Sequence, residues 1–420
     1  MTDNQKDTHT EEERTLNDIQ AELEAKFDEL FGTLNEPEGE DGDDFDFGSL
    51  DDLFADIEDE PEDEDAARRR RIDELNNEGY DFYTRADYHN AIDRFQQAAE
   101  LAEELGDLDR QCESLYWEGY CWCFLGKLKV ALDRLLQAEE LGGGDSGVRF
   151  WILQHMFEIA SSLPLAREKQ ANLLKKLEPY KGVRQIGDSK STVLNCERQF
   201  FLDCGDKRGA LYRAQEAFDN RVDKYPRYND KVYYRALANA YRKNNRLPEA
   251  WRTLYDWRAN GSTRFANTKS CQFRTEAQLL YTEGRLDEAW EAILTCQIEE
   301  KLLGIYGQSI ATLRCIVRIG ADAGKLDETR SVLPLLYRFR DSDSLYNQYD
   351  CHYCHAWYYA ALASYLLTGA GGERYGAAAE ARKHAERWFR RAEDIGRELD
   401  ELMETDVKRK ELKELRDKLG

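Results

Sequence analysis

Residues 277–296 read AQLLYTEGRLDEAWEAILTC. Small residues stand at Ala277, Gly284, Ala289 and Cys296, and bulky apolar ones at Leu280, Leu286 and Ile293. That spacing predicts two amphipathic helices joined by a short turn. Gly284 is placed to end the first, where a left-handed residue is least costly as glycine. Leu286-Asp287-Glu288-Ala289 then starts the second, with its acids at the positive end of the helix dipole. Residues 238–257, ANAYRKNNRLPEAWRTLYDW, follow the same plan with Ala238, Tyr241, Leu247, Ala250, Leu254 and Trp257. Pro248 there suits the first turn of a helix.

Working outward, the plan recurs as Gly79, Phe82, Tyr88, Ala91, Phe95, Ala98, and as Gly119, Trp122, Gly126, Ala131, Leu135, Ala138. Later copies hold Gly205, Ala210, Ala214, Ala217 and Gly324, Thr329, Leu333, Leu336. The small residue near the start of each second helix falls at Ala91, Ala131, Ala171, Ala210, Ala250, Ala289 and Thr329, at intervals of 40, 40, 39, 40, 39 and 40. Ala171 is placed by the interval alone, so the third copy is degenerate. A last copy, Ala385, Phe389 and Ala392, comes later because the insertion Gly369–Gly376 lengthens its inter-helix loop. A single pair cannot bury its apolar face, so the pairs must stack.

This pattern resembles the tetratricopeptide repeat over residues 72–399. The repeat of that family is about 34 residues long, and the longer interval here is similar to the long-repeat subclass of kinesin light chains. The resemblance implies an all-α fold, a right-handed α-solenoid of about eight helix pairs spanning 61–400. Residues 401–420 form a charged amphipathic helix suited to capping the open end of the stack.

Charge divides the chain. Its 420 residues carry a formal net charge of −24. Residues 1–65 hold 27 acidic residues against Lys6, Arg14 and Lys26, and the remainder holds 56 of each sign. Residues 1–60 are therefore expected to be an acidic, largely disordered tail, one that repels nucleic acid. Two apolar clusters interrupt it. Leu16, Ile19, Leu23, Phe27, Leu30, Phe31 and Leu34 recur at helical spacing, and Phe45, Phe47, Leu50, Leu53, Phe54 and Ile57 sit among acids. Both suit segments that fold onto a partner. Pro61 and the acids after it read as a helix start, with Arg68–Arg71 inside that helix. No run of about 18 apolar residues suggests a membrane span. The first ten residues lack the features of a secretory signal, and ten scattered cysteines fit reduced thiols, so a cytoplasmic location is expected.

Members of the resembled family usually bind a peptide in a concave groove lined by first-helix residues. Carried over copy by copy, one groove position holds Asn195, Arg235, Arg274 and Arg314, and another holds Gln199, Asn239, Gln278 and Arg318, with Arg242 one turn on. Arginine forks hold carboxylates and carboxamides pair with peptide backbone, so the expected ligand is an acidic or amphipathic peptide. The first copies present Asn76, Tyr80, Tyr83, Tyr116, Tyr120 and Phe124, a surface for apolar side chains. The Lys/Asn clamp of chaperone-tail binders is not matched, since Asn76 and Tyr80 occupy those sites. The acidic tail is itself a candidate occupant, which would make the protein autoinhibited.

No catalytic constellation stands out, and a non-catalytic scaffold, adaptor or regulator with no cofactor is expected. Cys351-His352-Tyr353-Cys354-His355 matches the C-x-x-C-H pattern and offers soft metal ligands. The expected helix puts them in one element, where they cannot close a zinc site alone. A metal- or cofactor-bearing protein using this cluster is the competing class, and a repeat-containing sensor of a signalling or transcription system is a third. Gly142–Gly144 lacks the Lys-Ser/Thr of a phosphate loop and reads as a connector. Cys121 and Cys123 face different ways on a helix, and His89, His155 and His384 suggest no triad.

Overall fold

The computed structural model describes residues 63–420, apart from 86, 145, 164, 166, 222–229, 262–266, 308, 369–372 and 420. Both apolar clusters of the tail and Pro61 lie outside the described residues. The chain from Asp63 onward is a unit of its own.

The elements are helical throughout and come in pairs. They are α1 (Glu64–Thr84) with α2 (Tyr88–Leu105), α3 (Leu108–Phe124) with α4 (Leu128–Leu141), and α5 (Ser146–Ser162) with α6 (Arg167–Leu177). Next come α7 (Ser189–Asp203) with α8 (Lys207–Asp219), α9 (Asp230–Lys243) with α10 (Leu247–Asn260), and α11 (Thr268–Thr282) with α12 (Leu286–Leu302). The seventh pair is α13 (Ile310–Asp322) with the short α14 (Leu326–Arg330) and α15 (Leu333–Tyr337), and the eighth is α16 (Leu345–Thr368) with α17 (Glu373–Met403). A final helix, α18 (Val407–Leu419), follows. The expected all-α stack of helix pairs is what forms.

The small residues at 40-residue intervals do the expected packing. Ala91, Ala131, Ala210, Ala250, Ala289 and Thr329 are each fully buried. Helices can cross closely only where both surfaces are small, so these positions set the spacing of each pair. Gly126 and Gly284 follow first helices with φ of 72° and 78°, the region in which any other residue is strained. The third copy departs from the interval. Ala171 is only half-buried, whereas Gln170 is fully buried. Its amide donates to the Leu165 carbonyl at 2.9 Å, so a polar residue fills the crossing and turns inward to do so.

Two more differences have local causes. The second helix of copy seven is broken into α14 and α15, because Pro334 in the first turn of α15 has no N–H for the preceding carbonyls. The insertion after Thr368 is shorter than read, since α17 already begins at Glu373 and contains Gly376.

Gly79 lies in α1 where Phe95 of α2 crosses it. An added Cβ would stand 2.8 Å from the Phe95 ring, and Phe95 is fully buried, with nowhere to turn. Gly79→Val is expected to lower stability by about 1–3 kcal/mol through overpacking, read as a reduced urea midpoint.

The helix expected over 401–420 starts later, as α18, because Glu401–Met403 still belong to α17. The Asp400 carboxylate accepts from the backbone N–H of Lys408 at 2.9 Å and of Arg409 at 2.8 Å, which caps its first turn. Leu412 and Leu415 are buried. Its polar side meets α13, with Glu411 3.9 Å from Arg314, Glu414 3.5 Å from Arg318, and Lys418 paired with Asp322. Among the described residues no helix is long and apolar enough to cross a membrane.

Candidate functional site

The first helices of pairs three to eight turn one side toward a shared cavity of about 1130 Å³. On α9, Arg235, Asn239 and Arg242 follow at i, i+4 and i+7, which puts them on one stripe. Asn195 and Gln199 on α7, and Arg314 and Arg318 on α13, repeat the i, i+4 arrangement, and Gln278 joins from α11. All eight line the cavity, and α16, α17 and α18 supply its remaining wall.

Arg274, at the same repeat offset as Arg235, does not line it. It is 8% exposed and donates to Ser309 Oγ at 3.0 Å and Thr312 Oγ1 at 2.9 Å. Buried Glu300 lies 4.0 Å away. This arginine holds α11 to the segment entering α13.

The cavity cations fall into two groups. Arg314 binds both Asp350 oxygens, at 2.8 and 3.1 Å, and Arg318 lies 4.7 Å over the Trp357 ring. Burial alone would raise the Glu411 carboxyl, but Lys408 at 3.1 Å and Arg314 outweigh it and hold it down to about 2. That side of the cavity is neutralised. Arg198, Arg235, Arg242 and Lys243 also line the cavity; none stands in an ion pair among the described residues, although Asp203 acts on Arg198 and Glu411 on Lys243 at longer range. Loss of solvent and the neighbouring Arg235 push Arg198 down to about 10. Desolvation and Arg274 lower Arg235, and desolvation, with Arg314 and Arg318, lowers Arg242. Lys243 keeps contact with solvent, yet the walls around it and Arg242 bring it down to about 8. Each of these groups is more basic in water than here, so each gains from an arriving anion.

The carboxamides orient this cluster. Asn195 Oδ1 accepts from Arg198 Nε at 2.8 Å, and Asn239 Oδ1 from Arg242 Nε at 3.4 Å. Gln199 accepts from Arg198 at 3.2 Å and donates to Asp203 at 2.8 Å. Desolvation raises Asp203 to about 6, although Gln199 and Ser161 hold its charged form, and it raises Glu158 to about 6 on the neighbouring wall.

Sequence reading missed Arg198 and Lys243. Arg198 occupies the place in its copy where Ala238, Ala277 and Val317 stand fully buried in theirs. An arginine at a position that elsewhere demands a small side chain was the available signal. Lys243 lies directly after Arg242, on a flank that the carried-over positions do not sample.

Tyr80, Tyr83, Tyr116 and Tyr120 form a separate aromatic cluster on pairs one and two. Tyr83 lies 5.7 Å from Tyr120 and 5.8 Å from Phe124 between ring centroids, and Tyr120 is 4.4 Å from His155. Tyr116 is buried, while Tyr80 and Phe124 are about half exposed. Asn76 accepts from the Ser114 hydroxyl at 3.0 Å. The tail residues Phe45, Phe47, Leu50, Leu53, Phe54 and Ile57 are outside the described residues. Within α16, His355 Nδ1 bonds the Cys351 carbonyl at 2.8 Å and its ring stacks on Trp388 at 4.3 Å. Among the described residues, no three His, Cys, Asp or Glu side chains converge as a metal site would require.

No family model and no curated protein matches this chain. Solved structures do. A tetratricopeptide repeat protein from Parabacteroides merdae is 14% identical over 80% of this chain and 98% of its own, with a TM-score of 0.33. A Rap protein complexed with competence and sporulation factor is 14% identical over 83% of this chain and 98% of its own, at 0.47. The TPR domain of P58(IPK) is 12% identical over 83% and 98%, at 0.24.

Proposed function

We propose that this chain, a tetratricopeptide-type stack of helix pairs, is a non-catalytic binding protein, a scaffold or regulator whose cavity takes an acidic peptide segment. One observation carries the reading: Arg198, Arg235, Arg242 and Lys243 line one cavity and none of them stands in an ion pair among the described residues, Asp203 reaching Arg198 only through Gln199. Assembling four cations is unfavourable in the empty protein, and a ligand carboxylate relieves it. Guanidinium forks give that contact direction as well as strength. The carboxamides of Asn195, Asn239 and Gln278, one to a helix, suit the backbone of an extended chain. The aromatic cluster of the first two pairs is a second surface, fit for apolar side chains of a longer, amphipathic ligand. The acidic tail, with Phe45–Ile57, has this chemistry, and its occupation of the cavity would make the protein autoinhibited until a partner displaces it.

The test is a titration of a labelled peptide of residues 45–60 into residues 63–420. Binding should weaken steeply with added salt. It should also weaken as pH rises from 5.5 to 9, by about tenfold. The sign follows from the groups involved. Asp203 and Glu158 acquire negative charge as pH passes about 6, and Lys243 loses positive charge as it passes about 8. The peptide carboxylates stay ionised throughout, so every change in the cavity opposes them. Affinity that is flat in both salt and pH would remove the acidic-peptide reading.

A further inference from the structure

The ends of the stack meet across the cavity and close one side of it. The helices that line it run from α5 through α13 to α16, α17 and α18, and the last of them return to the third pair. The Ser344 hydroxyl donates to the Ser162 carbonyl at 2.6 Å. Gln170 Nε2 lies 3.3 Å from Met403 Sδ, and Arg167 pairs with Glu404 at 3.3 Å. Farther in, Val407 packs so closely on Gly205 that an added Cβ there would stand 3.0 Å from its methyl. These contacts join residues more than 180 positions apart in the chain, and they bridge the side on which a stack of helix pairs is ordinarily open.

A closed wall changes what can reach the four unpaired cations. An open groove accepts a loop or an internal stretch of a folded protein laid in from the side. A cavity closed on that side accepts only what can be threaded, because both flanks of an internal stretch would have to pass through the seam. The span sets a length. From Asn195 on α7 to Arg318 on α13 the lining passes over three successive first helices, and at the roughly 9 Å typical of packed helices that is a span of at least about 27 Å. An extended strand covers this in about eight residues at about 3.3 Å each.

We infer that the cavity takes a short linear acidic peptide, or a chain end of about eight residues, and excludes an acidic stretch flanked on both sides by folded domains. This inference rests on the acidic-peptide reading above and narrows its ligand class.

The experiment uses the full chain and fluorescence anisotropy at low salt, with three forms of one probe. The first is free labelled octaglutamate. The second is octaglutamate joined at one end to a folded carrier by a flexible linker of about ten residues. The third carries the same linker and carrier at both ends, so that bulk alone cannot block an open groove. The expected result is similar affinity for the first two and binding at least about 30-fold weaker for the third, a difference of about 2 kcal/mol. Equal affinity for all three would show that the seam does not enclose the ligand. That outcome overturns this inference and leaves the acidic-peptide reading standing. Absence of binding by all three at hundreds of micromolar, to the full chain and equally to residues 63–420, which lack the tail, overturns both.

Discussion

Replacing Arg242 and Lys243 together by glutamate should abolish binding of an acidic peptide, by at least a hundredfold, while the protein stays folded. The magnitude follows from charge. A unit charge about 6 Å from a ligand carboxylate, at an effective dielectric of about 40, is worth about 1.4 kcal/mol. Two reversals change four units, or about 5.6 kcal/mol. Screening and relaxation remove roughly half of that, which leaves about a hundredfold in affinity. New pairs between the introduced glutamates and Arg198 or Arg314 act in the same direction, because they neutralise cations the ligand needs. Stability should hold or rise. Desolvation is the largest cause that lowers Arg242 and Lys243, and it weighs on the introduced glutamates as well. Beyond it Arg314 and Arg318 lower Arg242, and Arg242, Arg314 and Arg198 lower Lys243 against the opposing Glu411, so the reversals relieve repulsion, which offsets the burial of the new charges. Lost binding with an unchanged or higher urea midpoint is the signature of a binding cluster kept at the expense of stability. Equal loss of both would mean that these side chains support the fold.

The sequence and the structure agree where a steric rule is strict. Ala91, Ala131, Ala210, Ala250 and Ala289 are legible because a close helix crossing tolerates nothing larger, and their interval alone sets out the stack. Agreement ends where a polar side chain replaces the small one. Gln170 takes the crossing in copy three by satisfying its amide inside the loop, and Arg198 takes the equivalent first-helix place in copy four and turns into the cavity. A periodic pattern built on small residues skips both. The role of α18 was hidden for a different reason. An amphipathic pattern says which face is buried but not against what, and Glu411 and Glu414 read as ordinary surface acids until the fold brings them to Arg314 and Arg318. These pairings explain why the ladder of arginines expected along the groove is only partly available: α13 has spent its charges on the protein's own carboxylates, whereas α7 and α9 have not.

Arg274 is the sharpest case, since its repeat offset matches that of Arg235 and its consequences should be opposite. Arg274→Ala is expected to cost about 3 kcal/mol of stability, read as a lower urea midpoint, with the affinity of the folded variant for an acidic peptide changed by less than about threefold. The guanidinium donates to Ser309 and Thr312, and Thr312 in turn donates to Glu300 at 2.6 Å. Removing it leaves a carboxylate that is 3% exposed without its nearby cation. The pH dependence identifies the cause. Burial already raises the Glu300 carboxyl above its ordinary value, and loss of the arginine raises it further. A group whose folded pKa is raised favours the folded state at low pH, and that advantage is lost as pH climbs from the unfolded value through the folded one. The deficit of Arg274→Ala should therefore be largest above neutrality and shrink toward pH 5, where a protonated Glu300 needs no cation. A deficit independent of pH would place the loss in packing and in the Ser309 and Thr312 contacts. Two arginines at one repeat offset thus separate into a structural role and the proposed binding role because only one of them has a buried carboxylate within reach.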